Sequence, residues 1–225
     1  MSEITLYIGV DAAVGRTGVV VGTEGDDHVL TCSGQVFTSR RSDPGRLVDI
    51  GNHVNGMVKQ AYDETGDYDD VIVLLAIEGL GNAIGNQRIN IGLHWIIRAG
   101  LASHIPPLRT LVVAPMSLKV FCVGRGGAGV GKSTVAGIMD RWPDQVNSLR
   151  DEAGELPAED VLEAFGLMMV ARCWARPDLL EWTDKQRDVA RLESLTGKQR
   201  KAREVYEDGL SMRLDEQPVG RRRAS

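Results

Sequence analysis

Apolar and polar positions first alternate with a period of two. Leu6, Ile8 and Val10 are separated by Tyr7, Gly9 and Asp11, the spacing of a pleated strand. Gly15 to Gly18 predicts a turn, Val19 to Val21 opens a second strand, and Gly25-Asp26-Asp27 turns into a third over Val29 to Phe37. Three strands joined by short turns imply an antiparallel meander. The period then lengthens. Ser42-Asp43-Pro44 has the chemistry of a helix start, and Leu47, Ile50, Val54, Met57, Val58 and Ala61 recur at helical spacing to about Tyr62. Val71 to Ile77 is an unbroken apolar run rich in β-branched residues, as expected of a central, parallel strand buried on both faces.

A second helix is predicted over about Ala83 to Ala102, and a short strand over Leu111 to Ala114, stopped by Pro115. The Gly-rich stretch Val123 to Gly131 leads into a helix from about Ser133 to Trp142. Asp144 to Pro157 reads as a polar loop, and Ala158 to about Ala175 as a strongly apolar helix. The remainder, from Pro177, is charged and predicted helical, ending in Gly220-Arg221-Arg222-Arg223. The order β-β-β-α-β-α-β-α-α defines an α/β domain in which helices flank a mixed sheet. The expected division is a domain over 1–177 and a charged helical extension with a basic tail over 178–225.

Composition narrows the class. Of 225 residues, 43% are hydrophobic and 25% charged, which excludes a mainly disordered chain; with aromatics at 5%, aliphatic side chains must fill the core. No apolar run approaches the roughly 18 residues of a membrane span. The first residues show neither the basic region nor the apolar core of a signal peptide. Three widely separated cysteines give no disulfide framework or zinc spacing, and four scattered histidines give no metal motif, so a reducing cytoplasm is expected. The net charge of −5 argues weakly against an indiscriminate polyanion binder and leaves a local basic patch open.

Carboxylates stand where the pattern calls for apolar residues. Asp11 ends the first strand, and Glu78 ends the run Val71 to Ile77. Asp160 and Glu163 open the apolar helix, three residues apart and so on one face. Taken singly, Asp11 suits a turn, Glu78 a solvated loop and Asp160 the positive end of a helix. Glu163 precedes a helix that is apolar nearly all round, and a buried carboxylate needs a partner. Together the acids suggest hard divalent cations, which prefer oxygen ligands and, in pairs about 4 Å apart, clamp a phosphodiester for in-line displacement.

At these residues the chain resembles the RuvC-like Holliday junction resolvases of the RNase H-like superfamily, in the form carried by actinobacterial phages. Ile8-Gly9-Val10-Asp11 with Arg16-Thr17-Gly18 is similar to the family's opening strand and turn, and Ala76-Ile77-Glu78-Gly79 to its second acid. Val113-Ala114-Pro115 with Leu118-Lys119, then Gly124-Arg125-Gly126 and Lys132, resembles a segment of the phage members. Asp160-Val161-Leu162-Glu163-Ala164 matches the D-x-x-D-A position, with glutamate replacing the last aspartate. The resemblance spans about residues 4–176. It implies an RNase H-like fold with a mixed five-stranded sheet, and a dimeric endonuclease acting on branched DNA (four-way junctions, possible flaps or forks) in the cytoplasm, that of the host cell for a phage protein. It further implies two Mg²⁺ or Mn²⁺ ions held by Asp11, Glu78, Asp160 and Glu163, with Asp11 bridging both. Arg16, Lys119, Arg125 and Lys132 are the expected DNA contacts, with Arg88 a weaker candidate. The chain departs from the pattern in the longer Glu163, in Glu159 as a rival to Asp160, and in Gly79-Leu80-Gly81, where bacterial members carry an aromatic wedge.

Two other readings compete. Gly126-Gly127-Ala128-Gly129-Val130-Gly131-Lys132-Ser133 satisfies the phosphate-binding pattern G-x-x-x-x-G-K-[ST], so a P-loop ATP-binding protein is an alternative. Most of the predicted sheet precedes the motif, however, and bare amides beside a lysine hold a DNA phosphate equally well. A catalytically silent binder of branched DNA is the other. An actin-like sugar or acetate kinase opens similarly, but needs two copies of its core. The basic residues Lys185, Arg187, Arg191, Lys198, Arg200, Lys201 and Arg203 are interleaved with acids, which suits a DNA contact or a solvated helix.

Overall fold

The chain begins as a meander. β1 (Glu3–Asp11), β2 (Thr17–Glu24) and β3 (Leu30–Phe37) are antiparallel neighbours, with Asp11 opposite Gly18 and Thr17 opposite Phe37. Helix α1 (Gly45–Asp63) then leads to β4 (Asp70–Glu78), which lies parallel to β1 with Val10 beside Ile77. Helix α2 (Gln87–Ala102) crosses to β5 (Leu108–Val113), parallel to β4. This computed structural model describes residues 3–25, 29–41, 44–66, 70–79, 87–105, 108–124, 133–150, 154–179, 181–191 and 203–208. The five expected strands are all present, and the apolar run 71–77 is central and parallel as its composition requires.

Two short helices were not legible in the sequence pattern. α3 (Pro115–Val123) begins at the proline that ends β5, because proline suits the first helical turn as well as it stops a strand. α5 (Pro143–Ser148) occupies the start of the expected polar loop, again with proline in its first turn. Between them α4 (Thr134–Arg141) is capped by the Ser133 hydroxyl, which accepts from the Ala136 amide at 3.1 Å. α6 (Glu159–Ala175) matches the expected apolar helix, and α7 (Asp184–Arg191) follows.

The C-terminal extension is not helical throughout. Arg203–Asp208 forms β6, antiparallel to β5, giving the order β3-β2-β1-β4-β5-β6. Its alternation Arg-Glu-Val-Tyr-Glu-Asp is short and charged, and the pattern of neighbouring charges hid it; a charged strand is what a sheet edge tolerates. Among the described residues no helix is long and apolar enough to cross a membrane.

The sheet separates two cores by strand parity. Leu6, Ile8, Val10, Val73, Leu75 and Ile77 face α1 and α2. Tyr7, Leu74, Ala76, Leu111 and Val113 face α6 and α3. α6 is therefore covered on nearly every side, which explains its lack of a polar face. On the same side Trp142 stacks on Phe121 and meets Phe165 and Trp182 edge-on, joining α4, α3, α6 and the segment before α7.

Candidate metal centre at the ends of β1, β4 and α6

Parity decides where the strand acids go. Asp11 shares a face with Tyr7 and Gly9, and Glu78 with Leu74 and Ala76, so both are on the α6 side. β1 and β4 are parallel neighbours, which brings the two acids side by side at the carboxyl end of the sheet. Backbone contact sets the depth of α6. A Cβ on Gly18 would stand 2.0 Å from the Asp160 carbonyl oxygen, and one on Gly9 would stand 1.9 Å from that of Ala164. No real side chain tolerates such distances, so glycine at these two strand positions lets the helix rest on the sheet. The first turn of α6, carrying Asp160 and Glu163, thereby lies over the residue paired with Asp11.

The far end of α6 is also fixed. Arg172, 6% exposed, donates to Glu24 at 2.6 Å and also pairs with Glu181, while Arg176 reaches Glu24 at 3.2 Å. The Arg172 guanidinium lies over the Trp182 ring. These groups tie the end of the helix to the end of β2.

The acids feel one another. Asp11 is only 6% exposed; burial, the Glu78 charge, a hydrogen bond with Glu78, and then Asp160 and Glu159 push its proton affinity far above the usual carboxylate range. Glu78 is raised by burial and by Glu163, and the hydrogen bond with Asp11 partly offsets this. The two behave as one pair sharing a proton. Burial first, then Asp11, Glu159 and Asp160, push Glu163 up to about 7. Glu159 itself is exposed, whereas Asp160 and Glu163 are half-buried.

Arg16, in the turn between β1 and β2, pairs with Asp160 at 2.9 Å. The turn is held by the Thr17 hydroxyl, which donates to the Ala13 carbonyl at 2.8 Å. Lys119 is half-buried on α3, next to Leu118, which packs against Gly166 of α6. Arg125, Lys132 and residues 126–131 of the Gly-rich motif lie outside the described residues, as does the Arg88 side chain. What precedes that motif is helix α3, whereas a nucleotide-binding P-loop follows a strand.

One neighbour of the acids escaped sequence reading. His94, on α2, is buried on the opposite side of the sheet and hydrogen-bonded to the Glu78 backbone; burial and the nearby Arg98 push its pKa down to about 4, so the ring is neutral. Only its position on the inward face of α2, beside Leu93 and Ile97, signals it in the sequence.

The donor set fits hard divalent cations: four carboxylates, no thiolate or imidazole among them, whose mutual repulsion a cation would relieve. As they stand, no three acidic, histidine or cysteine side chains among the described residues are gathered as a metal shell. Asp160 is engaged by Arg16, and Asp11 by Glu78.

This arrangement, a β1-β2-β3 meander continued by parallel β4 and β5 with α6 across its face, is the RNase H-like fold in its RuvC form. The chain is similar to the Thermus thermophilus RuvC structure, with a TM-score of 0.52 and 15% identity over 79% of this chain and 97% of that one. A structure of T. thermophilus RuvC in complex with Holliday junction substrate gives a TM-score of 0.49 and 12% identity, covering 78% of this chain and 96% of that one. No protein-family model matches the chain, and no curated protein sequence does.

Proposed function

We propose that this protein is a divalent-metal-dependent endonuclease that hydrolyses phosphodiester bonds in branched DNA such as Holliday junctions. The observation that supports it above all others is geometric: Asp11 and Glu78 end neighbouring parallel strands, and the turn of α6 that carries Asp160 and Glu163 rests on Gly18, the residue paired with Asp11. The fold shared with RuvC supports the same reading. Asp11, Glu78, Asp160 and Glu163 would together hold the ions. Two Mg²⁺ or Mn²⁺ ions bound there would activate the attacking water and stabilise the leaving oxygen. The protein's own residues orient the strand. Arg16 at the rim and Lys119 on α3 supply positive charge for DNA phosphates, and Arg125 and Lys132 extend this set on sequence grounds.

The catalytic unit in this reading is 1–177, with 178–225 as a charged extension that contributes α7 and β6. Paired nicks across a four-way junction need two active sites, so a homodimer in the cytoplasm belongs to the proposal. Ile91, Trp95 and Ala99, exposed one turn apart on α2, offer an apolar contact for it.

A labelled four-way junction incubated with protein and Mg²⁺ tests the reading. Nicking by the wild type and its loss in Asp11→Asn are expected, with a fall of at least about a hundredfold for removal of a proposed metal ligand. Tight junction binding without nicking would instead establish a silent binder. ATP hydrolysis abolished by Lys132→Ala would favour the P-loop alternative.

A further inference from the structure

Among the described residues, one ion pair enters the acidic cluster, and it joins a proposed metal ligand to a proposed DNA contact. Arg16 Nη2 stands 2.9 Å from Asp160 Oδ2. The pair is built by the backbone. Gly18, two residues after Arg16, presses its bare Cα against the Asp160 peptide, leaving no room for a Cβ. The Thr17 hydroxyl ties the intervening turn to Ala13, and Thr17 itself is fully buried. Arg16 and Asp160 are thus presented to each other by two chain segments in contact, with the Arg16 side chain 52% and the Asp160 side chain 22% exposed.

We propose that Arg16 is a counter-ion that competes with the metal for Asp160 and is withdrawn by a DNA phosphate, so that metal loading and substrate binding are coupled. The inference rests on the nuclease reading and adds to it an exchange of partners. Without DNA, the guanidinium neutralises one carboxylate of a group that already carries too much negative charge. A divalent cation approaching Asp160 meets this positive charge and binds less well. When a phosphate reaches the rim, its oxygens offer the guanidinium a planar, paired acceptor. Asp160 is then released to the metal. Linkage makes the effect reciprocal: bound metal repels Arg16 from the cluster and leaves it free for DNA. Because Arg16 is half-exposed, the competition is modest. An exposed pair of this type corresponds to about a two- to fivefold change in affinity.

The test is a Mn²⁺ titration of the full chain without DNA, followed calorimetrically, for wild type, Arg16→Gln and Arg16→Lys. Expected is about a two- to fivefold tighter Mn²⁺ affinity in Arg16→Gln, with Arg16→Lys between the two. A four-way junction added in Ca²⁺ should raise Ca²⁺ affinity more in the wild type than in Arg16→Gln. The salt slope of junction binding should fall by about one on losing Arg16. Equal or weaker Mn²⁺ affinity in Arg16→Gln, with the melting temperature retained, overturns the exchange while leaving the nuclease reading in place. Failure of every variant, wild type included, to bind Mn²⁺ overturns both. A purely structural ion pair would lower the melting temperature without tightening metal binding.

Discussion

Asp11 stands where two strands and a helix meet, and its proton affinity records that position. Raised carboxyl pKa values carry a definite sign. In the metal-free protein Glu163 holds its proton up to about pH 7, while in the unfolded chain it ionises near 4.5. The Asp11–Glu78 pair shifts in the same direction. Through these three groups the folded state binds more protons across this window, so their contribution to stability is fully present below about pH 4.5 and is lost as pH rises through 7 and beyond. Thermal melts in EDTA should show this fall. Asp11→Asn removes the repulsion and should flatten the profile, stabilising the apo protein at pH 8 by on the order of 1–2 kcal/mol. Mg²⁺ or Mn²⁺ should raise the wild-type melting temperature at pH 8 and do little for the variant. A profile that rises with pH in EDTA would mean that the acids are not coupled as described.

α6 is the element on which the site depends, because it carries half of the acids and its position is fixed at both ends. Gly18 and Gly9 set its distance from the sheet, and the Glu24–Arg172 pair fixes its far end. Gly18→Ala should force the first turn outward and cost about 1–3 kcal/mol or more as an overpacked contact, with nicking reduced further than stability alone explains. Gly15→Ala, in the same turn but with nothing within 4 Å, is the control and should melt and nick like the wild type. Equal behaviour of the two variants would show that the helix does not need the bare strand. The elements themselves were largely legible. Val71 to Ile77 declared a central strand, and the apolar helix after Glu163 declared its burial. The closeness of α6 to β1 and β2 was not, since a strand glycine in Thr17-Gly18-Val19 marks a close approach without naming what approaches. α3 is hidden because Pro115, which stops the strand, also starts a helix, and α5 because the polar composition of Asp144 to Pro157 signals a loop. The acids were legible as anomalies of burial; the ion pair of Asp160 with Arg16 and the contact of His94 behind Glu78 depend on folding and leave no local trace.

At the scale of the molecule, the sheet keeps its chemistry at one end and its fastening at the other. The acids sit at the carboxyl ends of β1 and β4, and the Glu24–Arg172–Glu181 group lies at the opposite end of α6. A metal and a substrate bound as proposed would therefore rearrange charge at one pole without loosening the other. Among the described residues the outer face of α2 is uncovered, with Trp95 61% exposed beneath the Arg98 guanidinium. If the proposed dimer forms through this face, Trp95→Glu should convert it to a monomer in sedimentation experiments and abolish paired nicking of a junction while sparing single nicks. A dimer that persists in this variant would place the subunit contact elsewhere.

β6 carries a consequence for any shortened form of the chain. It supplies hydrogen-bond partners along β5 from Leu108 to Val113. A protein cut after residue 177 would keep all four acids yet lose this cover, leaving a row of vacant amides and carbonyls along β5 as a template for another molecule's strand. Such a fragment would tend to polymerise through its sheets, and its poor solubility would say nothing about whether the acidic centre is intact.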